Sequence, residues 1–391
     1  MSFSTYIESL SSCIKRQDGF ALSQHLCLQH ITKSPYFHNV AAPFLNTSIL
    51  SRFLPKPWIS FVSNFVNSLQ PYTHGDFASC YQFFKEMSDS ITSRDSIFEF
   101  WNISMVRCFI IDLRNIVFSS KSAKILSDSI QVFQRLIQHC ISDRSNKECS
   151  KQWLALHLTN VLFSVYFKTN DLELCKSLTR PFEEQGSVVP FEDYSIADRL
   201  PYWYYSGRML IYKGSYREAY VRLKGAFEDM PKIGGGRRMT QILFYLALVS
   251  PLQGKGPRDS ILRRFDLSFL IPFLTAIRSG DLLSFRNFLT KLNHLFIRTG
   301  TFLLTSQLEL LCIRNLFKNI VTPDTSKYLL SHFEHAYLYS STRFIESNDE
   351  TEALIVATLA RLVEEKYLRG YVSLTHRAVV LAKVSPFRKL S

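Results

Sequence analysis

Seven residues between positions 203 and 231 constrain this chain more than any other stretch: Trp203, Gly207, Gly214, Tyr216, Ala219, Ala226 and Pro231. Small residues at 207 and 219 let two antiparallel helices approach closely. Gly214 turns the chain between them, Ala226 admits the next helix, and Pro231 closes the unit. The segment therefore reads as a helical hairpin, and stacked pairs of this kind form a solenoid.

The spacing matches a tetratricopeptide unit and departs from it at Ser206 and Leu210. A second hairpin is expected upstream, with its turn at Thr169-Asn170-Asp171 and a helix over Leu172–Thr179. A third is expected downstream, with its turn at Ser279-Gly280-Asp281 and a helix over Leu282–Phe296. Further upstream, Trp58, Ile59, Phe61, Val62, Phe65, Val66 and Leu69 keep the i, i+3/i+4, i+7 pattern of one buried face. Similar faces recur through Ile97–Phe118, Ile125–Ile141 and Trp153–Phe167, with breaks at Pro55-Lys56-Pro57, Gln70–Gly75 and Ser142–Asn146. Only 14 Gly and 14 Pro occur in 391 residues, which favours long helices over turn-rich β structure. The many aromatic side chains, 32 Phe and 18 Tyr, suit the gaps between stacked helices.

The pattern changes near the end. Phe302–Val321 reads as an amphipathic helix with Leu304, Leu308, Leu311 and Phe317 on its buried face. Thr325–Tyr337 reads as a second helix. Asp349 and Glu352 read as the capping box of a third, which buries Ile355, Leu359, Leu362 and Val363. Two β-favouring segments follow around a turn, interrupted by Gly370. Three helices and a small β-hairpin make a winged helix. The expected fold is mainly α: a TPR-like helical-hairpin solenoid followed by a C-terminal winged helix. The expected division is residues 1–200 as N-terminal helical repeats, 201–295 as a helical subdomain, and 296–391 as the winged-helix subdomain.

Charge is placed unevenly. Residues 1–200 carry 19 Lys+Arg against 18 Asp+Glu, whereas residues 201–391 carry 27 against 15. A neutral half joined to a basic half points to a polyanion or an acidic peptide as partner. The first candidate cluster is Lys232, Arg237 and Arg238, with Lys255, Arg258, Arg263 and Arg264 in the next connection. Guanidinium groups on loops suit phosphate oxygens, although a solvated loop would carry the same charges. The second is the wing: Lys366, Arg369, Arg377 and Lys383. Helix Thr351–Glu365 carries Glu352, Glu364 and Glu365 with only Arg361 basic, which argues against insertion in a major groove. Contact with backbone phosphates, without base readout, is the expectation, and the same surface could equally dock a protein. Arg314 and Lys318 share one helix face; a structural role is expected, with solvation or an ion pair to Glu309 as the simplest accounts.

Catalytic patterns do not emerge. No H-x-E, H-E-x-x-H or C-x-x-C spacing occurs, and GKGPRDS at Gly254–Ser260 lacks the ending and preceding strand of a phosphate loop. Glu183-Glu184 and Glu364-Glu365 would point to different helix faces. The expectation is a non-enzyme with no cofactor, no metal and no small-molecule substrate. The eight cysteines read as buried free thiols of an intracellular protein. The N-terminus shows no signal-peptide pattern, and runs such as Gln241–Val249 and Leu267–Ile277 are too short to span a bilayer. A soluble protein of nucleus or cytoplasm, without membrane contact, is expected.

Helical hairpins fused to a terminal winged helix resemble the PCI domain of the proteasome lid, the signalosome and initiation factor three. Finer segments narrow this: YYSGR at Tyr204–Arg208, GGRRMTQILFYL at Gly235–Leu246, FIRTGTFLL at Phe296–Leu304, RNLFK at Arg314–Lys318, LRGYVS at Leu368–Ser373 and SPF at Ser385–Phe387. Together they resemble the PCI subunits of the TREX-2 mRNA-export complex and, equally, the paralogues classed as signalosome subunit twelve, best over residues 195–391. The family has a Lys-Arg pair where this chain has Arg237-Arg238, and an Asn and further prolines where it closes SPFRKLS, so both paralogues stay open. The resemblance implies a nuclear, non-catalytic scaffold. Such a scaffold pairs with a second PCI-domain protein through the winged helix and carries a small acidic peptide of the DSS/Sem type. It also contributes to binding RNA or DNA. The alternative it leaves is a signalosome- or lid-like scaffold with protein partners alone.

Overall fold

Polar side chains set many helix starts in this protein. The computed structural model describes residues 3–33, 47–183, 188–230, 236–322, 325–342, 344 and 349–390. Asp18, Asp76, Ser122 and Asp281 accept hydrogen bonds from the amides of Ala21, Ser79, Ile125 and Ser284 at 2.9, 3.1, 3.4 and 3.2 Å. Each such cap contributes about 1 kcal/mol to its helix. The fold is mainly α, and it divides into two compact units, Met1–Tyr205 and Ser206–Ser391.

The first unit holds α1 (Phe3–Lys15), α2 (Gly19–His25), α3 (Leu28–Ile31), α4 (Thr47–Phe53), α5 (Lys56–Thr73), α6 (Phe77–Thr92), α7 (Ile103–Ser119), α8 (Ala123–Ile141), α9 (Ala155–Thr169) and α10 (Cys175–Glu183). Helix α11 (Ile196–Tyr212) begins in this unit. The expected faces of α5 and α7 meet in its core, where Phe61 lies 5.9 Å from Phe109, and Phe84 of α6, outside the expected faces, stacks on Phe109 with centroids 5.4 Å apart. Local limits differ from expectation in three places. Helix α5 runs through Pro71 to Thr73, leaving a turn at His74 and Gly75, where Gly75 takes φ +75° and the Asp76 amide returns to the Pro71 carbonyl. A 3₁₀ turn, Phe100–Asn102, precedes α7, because the Asn102 side chain bonds the Ile97 carbonyl and the Glu99 amide. The helix expected at Leu172 begins as a 3₁₀ turn and becomes α-helical at Cys175, after Asn170 has turned the chain at φ +65°.

Two buried acids tie this unit together. Asp198, in the first turn of α11, receives Arg107 of α7 through both terminal guanidinium nitrogens, at 2.6 and 2.9 Å, and His157 of α9 at 3.2 Å. The Ser195 hydroxyl donates to the same carboxylate at 2.9 Å. Asp112 of α7 accepts the Leu28 amide at 2.7 Å across the start of α3. Burial pushes the Asp112 carboxyl up to about 8. An unfolded aspartate loses its proton near pH 4, at about 3.9. The folded state therefore binds more protons between those two values, and its stability falls as pH rises through that window. An Asp112→Asn variant keeps an acceptor for Leu28 and loses the titration. Its unfolding free energy from urea titration is expected to change less than the parent's between pH 5 and pH 8, by roughly 1 kcal/mol or more; equal slopes would refute the account.

The second unit carries the hairpin seen in the sequence. The end of α11 packs on α12 (Tyr216–Asp229), and Gly214 between them takes φ +78°. A methyl group at Gly207 would lie 2.8 Å from Leu223 Cγ, so glycine is what permits this spacing. Then follow α13 (Gly236–Val249), α14 (Asp259–Arg264), α15 (Ile271–Ser279), α16 (Leu282–Thr299) and α17 (Phe302–Ile320). No helix among the described residues is long and apolar enough to cross a membrane. All eight cysteines are free thiols; five are buried, Cys13 and Cys108 are partly exposed, and Cys149 is exposed.

Candidate nucleic-acid interface

The winged helix is built on α17, which buries Leu304, Leu308, Leu311 and Phe317 as the spacing predicts. The next segment departs from expectation. Instead of a helix from Thr325, Lys327–Leu329 forms strand β1, and helix α18 runs over Leu330–Thr342. Tyr328 is buried, and its hydroxyl closes a turn by donating to the Thr322 carbonyl and accepting the Thr322 amide. That pocket and the pairing with a distant strand hold the segment extended. Helix α19 spans Asp349–Glu364; the Asp349 side chain expected as its cap lies outside the described residues. Strands β2 (Gly370–Ser373) and β3 (Ala378–Leu381) complete an antiparallel sheet of order β1-β3-β2. Gly370 faces Leu381 across the pair, and any side chain there would run into the Val380 carbonyl. It keeps the hairpin closed where the sequence suggested an interruption.

The four wing cations are all exposed. Lys366 follows α19 at φ +61°, and Arg369 is held at its backbone by the Pro386 carbonyl and the Ala382 amide, at 2.8 and 2.9 Å. Arg377 sits in the β2–β3 turn with its Nε 3.5 Å from Glu352 of α19, so part of its charge is already met. Lys383 follows β3.

The first candidate cluster is dispersed. Lys232 and the Arg237 side chain lie outside the described residues. Arg238 is exposed in the first turn of α13, and Arg263 and Arg264 are exposed in the last turn of α14. Lys255 lies with its ammonium 5.4 Å from the Tyr220 ring centroid. Lys255 and Arg258 do converge with other cations. They line an open groove of about 910 Å³ together with Arg278 at the end of α15, Arg314 and Lys318 of α17, and Arg388 and Lys389 of the C-terminal segment. Sequence reading missed Arg278, Arg388 and Lys389 as site residues. Arg278 is an isolated charge and Arg388-Lys389 a lone pair at the far end of the sequence, and only the folded unit brings them together.

Arg314 has the structural role expected, but its partner is different. Glu309 pairs with Arg286 of α16 at 2.8 Å, and Arg286 also reaches the Tyr337 hydroxyl. Arg314 is instead buried, donates to the Arg388 carbonyl at 2.7 Å and to Asn315 Oδ1 at 2.8 Å, and covers the Phe387 ring at 5.7 Å. Burial pushes its guanidinium below its usual range, because the charged form is desolvated. The SPF segment is held from its other side by an antiparallel bridge between Leu368 and Phe387. The groove wall is thus a short C-terminal segment clamped onto α17 by one buried arginine.

No family model matches the chain. It is similar over its whole length to PCI domain-containing protein 2 of Xenopus laevis, 26% identical over an alignment of 410 residues that covers 100% of this chain and 98% of the relative. It is 29% identical to the PCI domain-containing protein 2 homolog of Dictyostelium discoideum over 329 residues, 79% of this chain and 74% of that one. It is also 28% identical to the protein CSN12 homolog of Schizosaccharomyces pombe over 272 residues, 68% of this chain and 62% of the relative.

Proposed function

We propose that this chain, whose fold and relatives support a PCI-domain family, is a non-catalytic scaffold subunit of a nuclear, TREX-2-like mRNA-export complex. In this reading it pairs through its winged helix with a second PCI-domain protein and carries a small acidic peptide of the DSS/Sem type. It also contributes cations to an RNA- or DNA-binding surface. The observation that carries the reading is a mainly α chain ending in a winged helix with an exposed basic wing, Lys366, Arg369, Arg377 and Lys383. The same module exposes Leu329, Tyr371 and Leu374, apolar groups that suit a protein partner. The acidic face of α19 directs nucleic acid away from groove insertion and toward phosphate contacts from the wing, Arg238, Arg263 and Arg264.

Reversal of Arg238, Arg369 and Lys383 to glutamate, in the complex with its co-purifying partners, tests the nucleic-acid component. Affinity for RNA or DNA is expected to fall about tenfold or more near physiological salt, with a shallower salt slope, because each lost phosphate contact removes roughly one released counterion. The similarity to a protein named CSN12 homolog favours a second reading, a signalosome- or lid-like scaffold with protein partners alone. Loss of partner assembly in the reversed variant, with no salt-sensitive nucleic-acid binding by the parent, would replace the first reading by the second.

A further inference from the structure

Seven cations line the groove beside the C-terminal segment, and among its described lining residues Asp259 is the one carboxylate. They come from four separate stretches: the 251–259 loop, the end of α15, one face of α17, and residues 388–389. Backbone packing therefore holds like charges around one concavity, which a bound anion would relieve. Leu390 packs so closely on Gly254 that a side chain there would meet the Leu390 carbonyl at 2.8 Å, so the wall is fitted, not loosely draped. At the floor, Arg314 is only 5% exposed, and its Nε has no hydrogen-bond partner. Its terminal nitrogens already donate to the Arg388 carbonyl and Asn315 Oδ1, so Arg314 fixes the wall and adds positive field, and the exposed Lys318, Arg388 and Lys389 are left to meet an anion.

We propose that this groove is a binding site for a compact, multiply phosphorylated small anion. Its size falls within the usual range of small-ligand pockets, about 300–1,000 Å³. Two features set it apart from a nucleic-acid channel. Single-strand binders place bases on aromatic side chains. The one aromatic residue among the described lining residues, Phe387, is 9% exposed and is covered by Arg314. A duplex presents its phosphates on a convex rod, which does not reach a concave floor. A compact anion fits between loop and tail instead, bridging Arg258 and Arg278 on one side to Lys318, Arg388 and Lys389 on the other. The site shares Lys255 and Arg258 with the surface considered for nucleic acid but does not depend on that reading.

Isothermal titration of the full chain with inositol hexakisphosphate, tripolyphosphate and sulfate tests the site. Hexakisphosphate is expected to bind at one site about a hundredfold or more tighter than sulfate at equal ionic strength. The double variant Lys318→Glu with Lys389→Glu, both at exposed positions, is expected to weaken hexakisphosphate about tenfold or more while its thermal midpoint stays near the parent's. The wing variant Arg369→Glu with Lys383→Glu should leave it unchanged, even where that variant has lost nucleic acid. Hexakisphosphate binding no tighter than sulfate, or insensitive to the groove variant, would overturn the proposal. So would a short single-stranded oligonucleotide that competes for the groove more tightly than hexakisphosphate.

Discussion

An Asp198→Ala variant is expected to unfold about 3 kcal/mol more easily than the parent chain, measured by urea titration near pH 7. The side chain of Asp198 is 5% exposed, and three groups converge on it from α7, α9 and the turn before α11. Removing the carboxylate leaves the His157 ring buried with its Nδ1 unmet and strips Arg107 of both hydrogen bonds. Arg107 is 36% exposed and can turn to water, so the loss lies at the low end of what breaking a buried pair costs, about 3–5 kcal/mol. Burial by itself would raise the Asp198 carboxyl. The hydrogen bonds from His157 and Arg107, with the arginine charge, overcome that and hold it well below the usual carboxylate range. Its contribution is therefore fully present above the unfolded value, about 3.9, and is lost as pH falls through the folded value. His157 is shifted downward, chiefly by burial, so the unfolded chain takes up its proton first below about pH 6.5 and stability declines there too. The parent should lose stability in both acid windows, and the variant should lose the lower one. A destabilisation under about 1 kcal/mol, or an unchanged acid limb, would show that the cluster is not what joins these helices.

Gly280→Ala is expected to cost about 4 kcal/mol. Gly280 closes α15 at φ +79°, a conformation that costs an alanine about 1–2 kcal/mol. The added carbon would also lie 2.6 Å from both Leu316 N and Cα of α17, a backbone that cannot turn aside. The turn cannot move the other way either. Ser340 of α18 donates to the Gly280 carbonyl at 2.7 Å and accepts the Leu282 amide at 2.9 Å. Gly300 provides the control, since it sits at φ +72° with nothing within 4 Å of an added methyl. Gly300→Ala should cost only the conformational part, and the difference between the two urea midpoints isolates the packing. Equal costs would refute the close approach of α15, α17 and α18.

What could be read without the structure was local. The hairpin at Gly207, Gly214 and Ala219 was legible because close helix approach demands small residues at set spacings. The turns at Asn170 and Gly280 and the faces of α5, α8 and α17 were legible for related reasons. Strand β1 was not, because Lys327–Leu329 is held extended by its pairing with Ala378–Val380, some fifty residues on, and by the burial of Tyr328. The partner of Arg314 was not legible for the same reason. A helix neighbour such as Glu309 is visible in one dimension, whereas the carbonyl of Arg388 lies 74 residues away.

The candidate site divides along the same line. Sequence alone determined that the second half of the chain is basic and that its end forms a wing, since net charge and β-favouring segments are additive, local properties. Only the tertiary structure decided which cations act together. It left Arg263 and Arg264 apart, set Arg377 against Glu352, and gathered Lys255, Arg258, Arg278, Arg314, Lys318, Arg388 and Lys389 around one groove. Proximity between like charges is never favoured by the charges themselves, so no pattern of basic residues announces it. It is imposed by the apolar packing of α15, α17 and the clamped C-terminal segment, whose energy comes from burial elsewhere in the unit.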